Sequence, residues 1–363
     1  MDIYYPEPAN VPENTPVPVL FFFYGGGFST GFRTLPKPYD LVYSNIGWFF
    51  SQKGFVTIVP DYRLVPDVQF PSPADDVYQA VAWAIENKEK IADEGDVPYE
   101  LNFDSVLLMG HASGSVHLTT ALLMPGLLSG DPETKDRIAG VVLVSGMYNT
   151  RALPPDDPVA GVLAQYWGTF EATKRNAPQP LLESAPEDMV AWLPEILMVD
   201  AEREPYWLEV GAEDFQKKLS ARTRKKEVMK VVECASGTAE VVLPDVKLGL
   251  MTRLIAKGHN HISIHLSPGS GQGEEWADAV VKWMKALISE KLSSKLSWGF
   301  VVNFTYFALV ALLEEFTFNV GLWHLPTRYM SSKRLLTRAR WSAVDVMCGD
   351  AYLLERAFAQ DAG

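Results

Sequence analysis

Cysteine is scarce: the 363-residue chain has two, Cys234 and Cys348, far apart and without metal-ligand spacing. That excludes a disulfide framework and gives no sign of a zinc site, so a reducing compartment, the cytoplasm, is the simplest expectation. Positive charge is also in deficit, with 32 Lys and Arg against 45 Asp and Glu and a formal net charge of −13. Binding a phosphate backbone draws mainly on clustered cations, so no nucleic-acid partner is expected. The Lys-rich stretch from Lys217 to Lys230 reads as the solvated face of a helix. The start, Met1-Asp2-Ile3-Tyr4-Tyr5-Pro6, lacks a basic residue followed by an apolar segment. No secretory signal is visible there, and the chain reads as beginning inside a strand. Trp298 to Leu313 is almost wholly apolar, but Asn303 lies inside it and Glu314-Glu315 closes it. It falls short of the ~20 residues of a membrane span. An interfacial helix in peripheral contact with a membrane through 298–313, or a helix packed on the domain, is favoured over a span.

What is present is an alternation of short β-type runs with helical patterns. Val17 to Phe23, Phe55 to Val59, Ser105 to Met109, Gly140 to Val144, Ile196 to Val199 and Leu248 to Ile255 read as strands. Ala74 to Lys90, Gly114 to Leu128 and Trp276 to Leu287 carry apolar residues at helical spacing. This order predicts βαβ units, an α/β fold with a mostly parallel sheet flanked by helices. With 47% hydrophobic residues the chain can bury one large core, placed at 1–292. A Pro-rich segment interrupts the alternation at about 150–193 and reads as a small cap, and the connector from Lys225 to Lys247 reads as a hairpin or a weakly ordered loop. Residues 293–363 read as a C-terminal extension with an apolar helix.

Four segments carry residue types suited to chemistry. Gly110-His111-Ala112-Ser113-Gly114 follows the strand ending at Met109, and Tyr24-Gly25-Gly26-Gly27-Phe28 follows the strand ending at Phe23. Asp200-Ala201-Glu202-Arg203-Glu204-Pro205 and Lys257-Gly258-His259-Asn260-His261 follow two later strands. Glycines in the first two let bare backbone approach closely and present N–H groups. Asp75-Asp76 opens a helix, where helix capping and the dipole explain paired carboxylates better than acid–base chemistry does. His259-x-His261 lacks a carboxylate or cysteine set to complete a metal site.

In this order the motifs resemble an α/β-hydrolase, nearest the carboxylesterase and hormone-sensitive-lipase-like branch. The resemblance implies a nucleophile elbow, Gly-x-Ser-x-Gly, with Ala112 at the nucleophile position. It implies an oxyanion hole from the N–H groups of Gly26, Gly27 and Ser113, an acid at Glu204 with Asp200 as the alternative, and His261 as base. Ser113 and Ser115 read as helix-start residues, and His111 and His117 as elbow packing. Tyr24, Phe28 and Trp167 are candidate substrate-binding residues; the aromatics Phe28, Phe32, Trp167 and Trp207 line an acyl or alcohol site or belong to the core. The family's usual N-terminal cap helices have no counterpart here, which implies an open pocket or an unstable truncated edge. No cofactor and no metal are expected, and the partner is a small ester or other carbonyl compound. Three readings stay open: an ester hydrolase scaffold, nearly inactive with alanine at 112 and acting through an acyl-enzyme when that residue is serine; a non-catalytic binding protein; and an arylformamidase-like amide hydrolase.

Overall fold

The computed structural model describes residues 1–154, 156–233 and 244–293. Among them, eight strands form one sheet: β1 (Asp2–Tyr4), β2 (Val17–Phe23), β3 (Val56–Val59), β4 (Leu101–His111), β5 (Ile138–Val144), β6 (Glu195–Arg203), β7 (Glu227–Val232) and β8 (Met251–Asn260). Their order is β1-β3-β2-β4-β5-β6-β8-β7. β1 runs antiparallel to β3 and every other neighbouring pair is parallel. Parallel neighbours need crossovers, and these cover both faces of the sheet with helices. They include α1 (Ser44–Gln52), α2 (Ser72–Glu86), α3 (Lys88–Gly95) and α4 (Ser113–Leu123), then the helix Tyr206–Thr223 and a helix over 275–293.

Strand β2 shows why the central strands read as unbroken apolar runs. Val19, Phe21 and Phe23 share a core layer with α2, α4 and the helix Tyr206–Thr223. The residues between them, Leu20 and Phe22, join the opposite layer with α1 and the helix over 275–293. With both faces covered, period-2 alternation disappears. Met1–Ser294 forms one compact unit.

Between β5 and β6 the chain leaves the sheet for a set of short helices, chiefly Val159–Trp167, Pro178–Ser184 and Glu187–Trp192. They occupy the 150–193 segment. Tyr166 anchors the insertion on the main body: its ring stacks on Phe28 with centroids 4.6 Å apart, its hydroxyl hydrogen-bonds His117 Nδ1 at 3.0 Å, and its carbonyl accepts from the Phe70 N–H at 2.8 Å.

Several expectations change. The connector after Lys225 holds neither a hairpin nor a bare loop at its start: β7 extends the sheet as a parallel edge strand beside β8. The Lys217 to Lys230 stretch is therefore not one helix face, because the helix ends at Thr223 and Lys230 lies in β7. The last predicted strand is displaced toward Met251–Asn260, since Leu248 and Gly249 form a turn, with Gly249 at φ 75°. Asp75 and Asp76 do not cap α2, which starts after Pro71 without a side-chain cap, but Asp75 does lie in its first turn, where the helix dipole favours a carboxylate. Asp76 instead accepts the Arg63 backbone N–H at 2.9 Å and its guanidinium at 2.7 Å. Cys234, Cys348 and the 298–313 run lie outside the described residues. Among the described residues, no helix is long and apolar enough to cross a membrane.

Candidate active site

The four chemistry-bearing segments all emerge at the carboxyl ends of neighbouring strands, where open α/β sheets place their sites. The glycine loop follows β2, the elbow follows β4, and Glu204 and His261 follow β6 and β8. Parallel pairing in the order β2-β4-β5-β6-β8 brings these ends side by side.

At the elbow, Ala112 has φ 49° and ψ −117°, a conformation that a residue with a Cβ rarely adopts. It is held there on both sides. The Ala112 N–H donates to the Val144 carbonyl at 2.9 Å, and its own carbonyl accepts from Val116 in the first turn of α4. Neither flanking glycine tolerates a side chain: a Cβ on Gly110 would lie 2.7 Å from the Ser115 nitrogen, and one on Gly114 2.2 Å from the Phe23 carbonyl oxygen. The strand-to-helix turn is thus a tight packing of backbone on backbone, with the methyl of Ala112 at its apex.

Neither nearby serine presents its hydroxyl at this apex. Ser113 begins α4 with its side chain buried, and the Ser115 hydroxyl donates to the carbonyls of Gly110 (2.6 Å) and Val144 (3.0 Å). Ser115 ties the turn together. As the first helical residue, Ser113 has an N–H without an intrahelical acceptor.

The glycine loop lies against this apex, since a Cβ on Gly25 would fall 3.1 Å from that of Ala112. Gly26 and Gly27 have φ 146° and 58°, and the space around Gly27 is open. Around them, Thr30 closes the loop onto the Gly26 carbonyl, and the Tyr43 hydroxyl donates to that of Gly25 at 3.0 Å. Tyr24 does not line the site. It is buried in the core beside Tyr62 and Tyr43, with its hydroxyl donating to Asp61 at 2.9 Å. Phe28 and Trp167 meet edge to face at 5.5 Å within an apolar cluster that joins the glycine loop to the insertion. Trp207 packs at the margin of that cluster, whereas Phe32 is exposed.

His261 Nδ1 lies 2.8 Å from Glu204 Oε2. A carboxylate accepts only, so Nδ1 donates and Nε2 is the ring nitrogen left out of this bond. Glu204 is almost wholly buried while His261 is about a quarter exposed, at 3% and 27% of the side chain. Glu204 Oε1 accepts from the Ser145 hydroxyl at 2.5 Å and from the Ala201 N–H at 3.3 Å. Asp200, the alternative acid, is committed elsewhere: it pairs with Arg253 Nε at 2.7 Å, with both side chains buried. Burial pushes its carboxyl up to about 6 even against the pull of Arg253.

Three histidines crowd together here. His111 donates from Nε2 to the His261 carbonyl at 3.1 Å, and its ring stands 4.4 Å from that of His265. Burial pushes His111 well below the ordinary histidine value and His265 down to about 4, so both are neutral. The residue before the apex therefore fixes the loop that carries His261. His259 is turned away, with Nε2 donating to the Gly273 carbonyl at 2.7 Å. Ser145, which reading by motif passed over, carries no local signature in Val144-Ser145-Gly146; only the fold brings it to Glu204.

Comparison with known proteins agrees with this architecture. A family model described as BD-FAE matches residues 1–146. The chain is 29% identical over 143 residues to the versiconal hemiacetal acetate esterase of Dothistroma septosporum, covering 39% of this chain and 38% of the relative. It is 24% identical over 187 residues to an esterase of Gibberella moniliformis, covering 49% and 54%. The chain thus spans about half, or less, of the length of these relatives. Among solved structures, carboxyl esterase 2 of Tuber melanosporum superposes with a TM-score of 0.51 at 17% identity, covering 76% of this chain and 79% of that one. One of the fungal esterases from Rhizomucor miehei gives 0.55 at 19%, covering 78% and 77%. The chain has the α/β-hydrolase fold, and over part of its length its sequence is similar to those of esterases.

Proposed function

We propose that this site binds carboxylic esters and, with alanine at 112, polarises them without forming an acyl-enzyme. The supporting observation is the pairing of an apex held at φ 49° with an intact hydrogen bond between Glu204 and His261. Strain at a residue with no side-chain chemistry persists only where the surroundings over-determine it. Those surroundings are the ones a serine nucleophile uses.

In this reading a serine hydroxyl at 112 attacks the ester carbonyl while His261 Nε2 takes its proton. The N–H groups of Gly26, Gly27 and Ser113 receive the negative charge that develops on the carbonyl oxygen. Glu204 holds the imidazole tautomer and stabilises the imidazolium, which then protonates the departing alcohol. Water releases the acyl group by the same route. Phe28 and Trp167 supply an apolar wall, and short acyl esters are the first candidates, in keeping with the acetate ester named for the Dothistroma relative.

The test compares the chain with Ala112→Ser on p-nitrophenyl esters of short and medium acyl length. Loss of the nucleophile from a comparable triad costs on the order of 10⁶ in turnover. Serine is therefore expected to raise turnover by several orders of magnitude, with a fluorophosphonate labelling residue 112. Two folded but inert proteins would overturn the proposal.

A further inference from the structure

Glu204 is positioned from a strand to which it does not belong. Its Oε1 accepts from the Ser145 hydroxyl at 2.5 Å and from the more distant Ala201 N–H at 3.3 Å. Ser145 follows directly on β5, is 1% exposed, and has φ 50°, outside the range a serine ordinarily adopts. That conformation is pinned, because the Ser145 N–H donates to the Val199 carbonyl of β6 at 2.8 Å. The residue before it, Val144, offers its carbonyl to the Ala112 N–H and to the Ser115 hydroxyl. One dipeptide at the end of the central strand β5 thus grips the elbow apex with its first residue and the acid with its second.

We propose that Ser145 is a positioning residue for the Glu204–His261 pair, setting the carboxylate so that Oε2 faces His261 Nδ1. This rests on the reading of Glu204 and His261 as acid and base. Without the hydroxyl, Oε1 keeps only the long bond to Ala201, and the carboxylate is freer to turn about its terminal torsion. The hydrogen bond to His261 then loosens, the imidazolium loses its partner, and His261 gives up its proton at lower pH. Charge-assisted hydrogen bonds of this kind are among the stronger ones in a protein.

Two measurements test the proposal. In the chain with Ala112 unchanged, NMR follows the His261 Nδ1–H resonance and the imidazole titration, with and without Ser145→Ala. Ser145→Gly serves as the second variant, because glycine accepts φ 50° without strain yet also lacks the hydroxyl. Both variants are expected to weaken or broaden that resonance and to lower the His261 midpoint. In the Ala112→Ser background, both are expected to lower kcat/KM about tenfold and to move the acidic limb of the pH profile to lower pH. If both variants are folded and the resonance and midpoint are unchanged, the positioning role is wrong. If Ala112→Ser proves inert while the NMR changes appear, the catalytic reading falls and the positioning of His261 through Ser145 stands.

Discussion

A Cβ on Gly114 would sit 2.2 Å from the Phe23 carbonyl oxygen and 2.5 Å from that of Tyr24, both backbone atoms that cannot turn aside. Gly114→Ala is therefore expected to lower stability by about 3 kcal/mol in urea denaturation. Gly161 is the contrast: it lies in the helix Val159–Trp167 with open space where a Cβ would go. Gly161→Ala is expected to raise stability by roughly 0.5–1 kcal/mol, as the loss of glycine's backbone entropy predicts. Equal effects at the two positions would sink the account of the elbow as backbone packed on backbone. Of the candidate site residues, Ala112, Glu204 and His261 could be placed from the sequence because each sits at a fixed offset from a glycine or proline motif. Tyr24 belongs to the same glycine motif, yet its side chain points into the core. A motif specifies backbone placement, not the direction of every side chain in it.

At the scale of elements, the central strands were readable because burial on both faces leaves unbroken runs of Val, Leu, Ile and Phe. Edge strand β7 was not. Its sequence mixes Glu227 and Lys230 with valines, and among the described residues it pairs with β8 alone. It leaves Met229 63% and Val231 42% exposed at the edge of the sheet formed by the described residues, the kind of place through which sheets join other chains. Met229→Lys is expected to reduce self-association on heating while changing folding stability by less than about 0.5 kcal/mol. Light scattering and a urea midpoint measure the two separately. A large loss of stability would mean that Met229 is packed rather than presented to solvent.

For the molecule as a whole, three neutral histidines are buried near the elbow and the insertion. Burial pushes His117 down to about 3 and His265 to about 4, and lowers His111 well below its ordinary 6.5. Below that ordinary value the unfolded chain takes up their protons while the folded chain does not. Stability is therefore fully present above about pH 6.5 and falls as pH drops, by about 1.4 kcal/mol per pH unit for each histidine. Asp200 has the opposite sign: raised to about 6, it binds its proton first in the folded state and offsets roughly one histidine between about pH 6 and 4. The net slope is about two protons. Urea midpoints between pH 7 and 5 measure it, and His117→Gln is expected to remove about one proton from the slope. A flat dependence would contradict the burial of these rings as neutral groups.

Local pattern carried the α/β class, the strand ends that bear chemistry, and the elbow with its methyl, because hydrophobic period and glycine spacing are written in neighbouring residues. Contacts between distant segments are not. That Glu204 rather than Asp200 reaches His261 depends on Arg253, 53 residues beyond Asp200, having drawn that carboxylate into a buried pair. That Ser145 meets Glu204 depends on β5 and β6 lying side by side in parallel register. These partners are chosen when the sheet assembles, since only then does burial decide which charges must find one another.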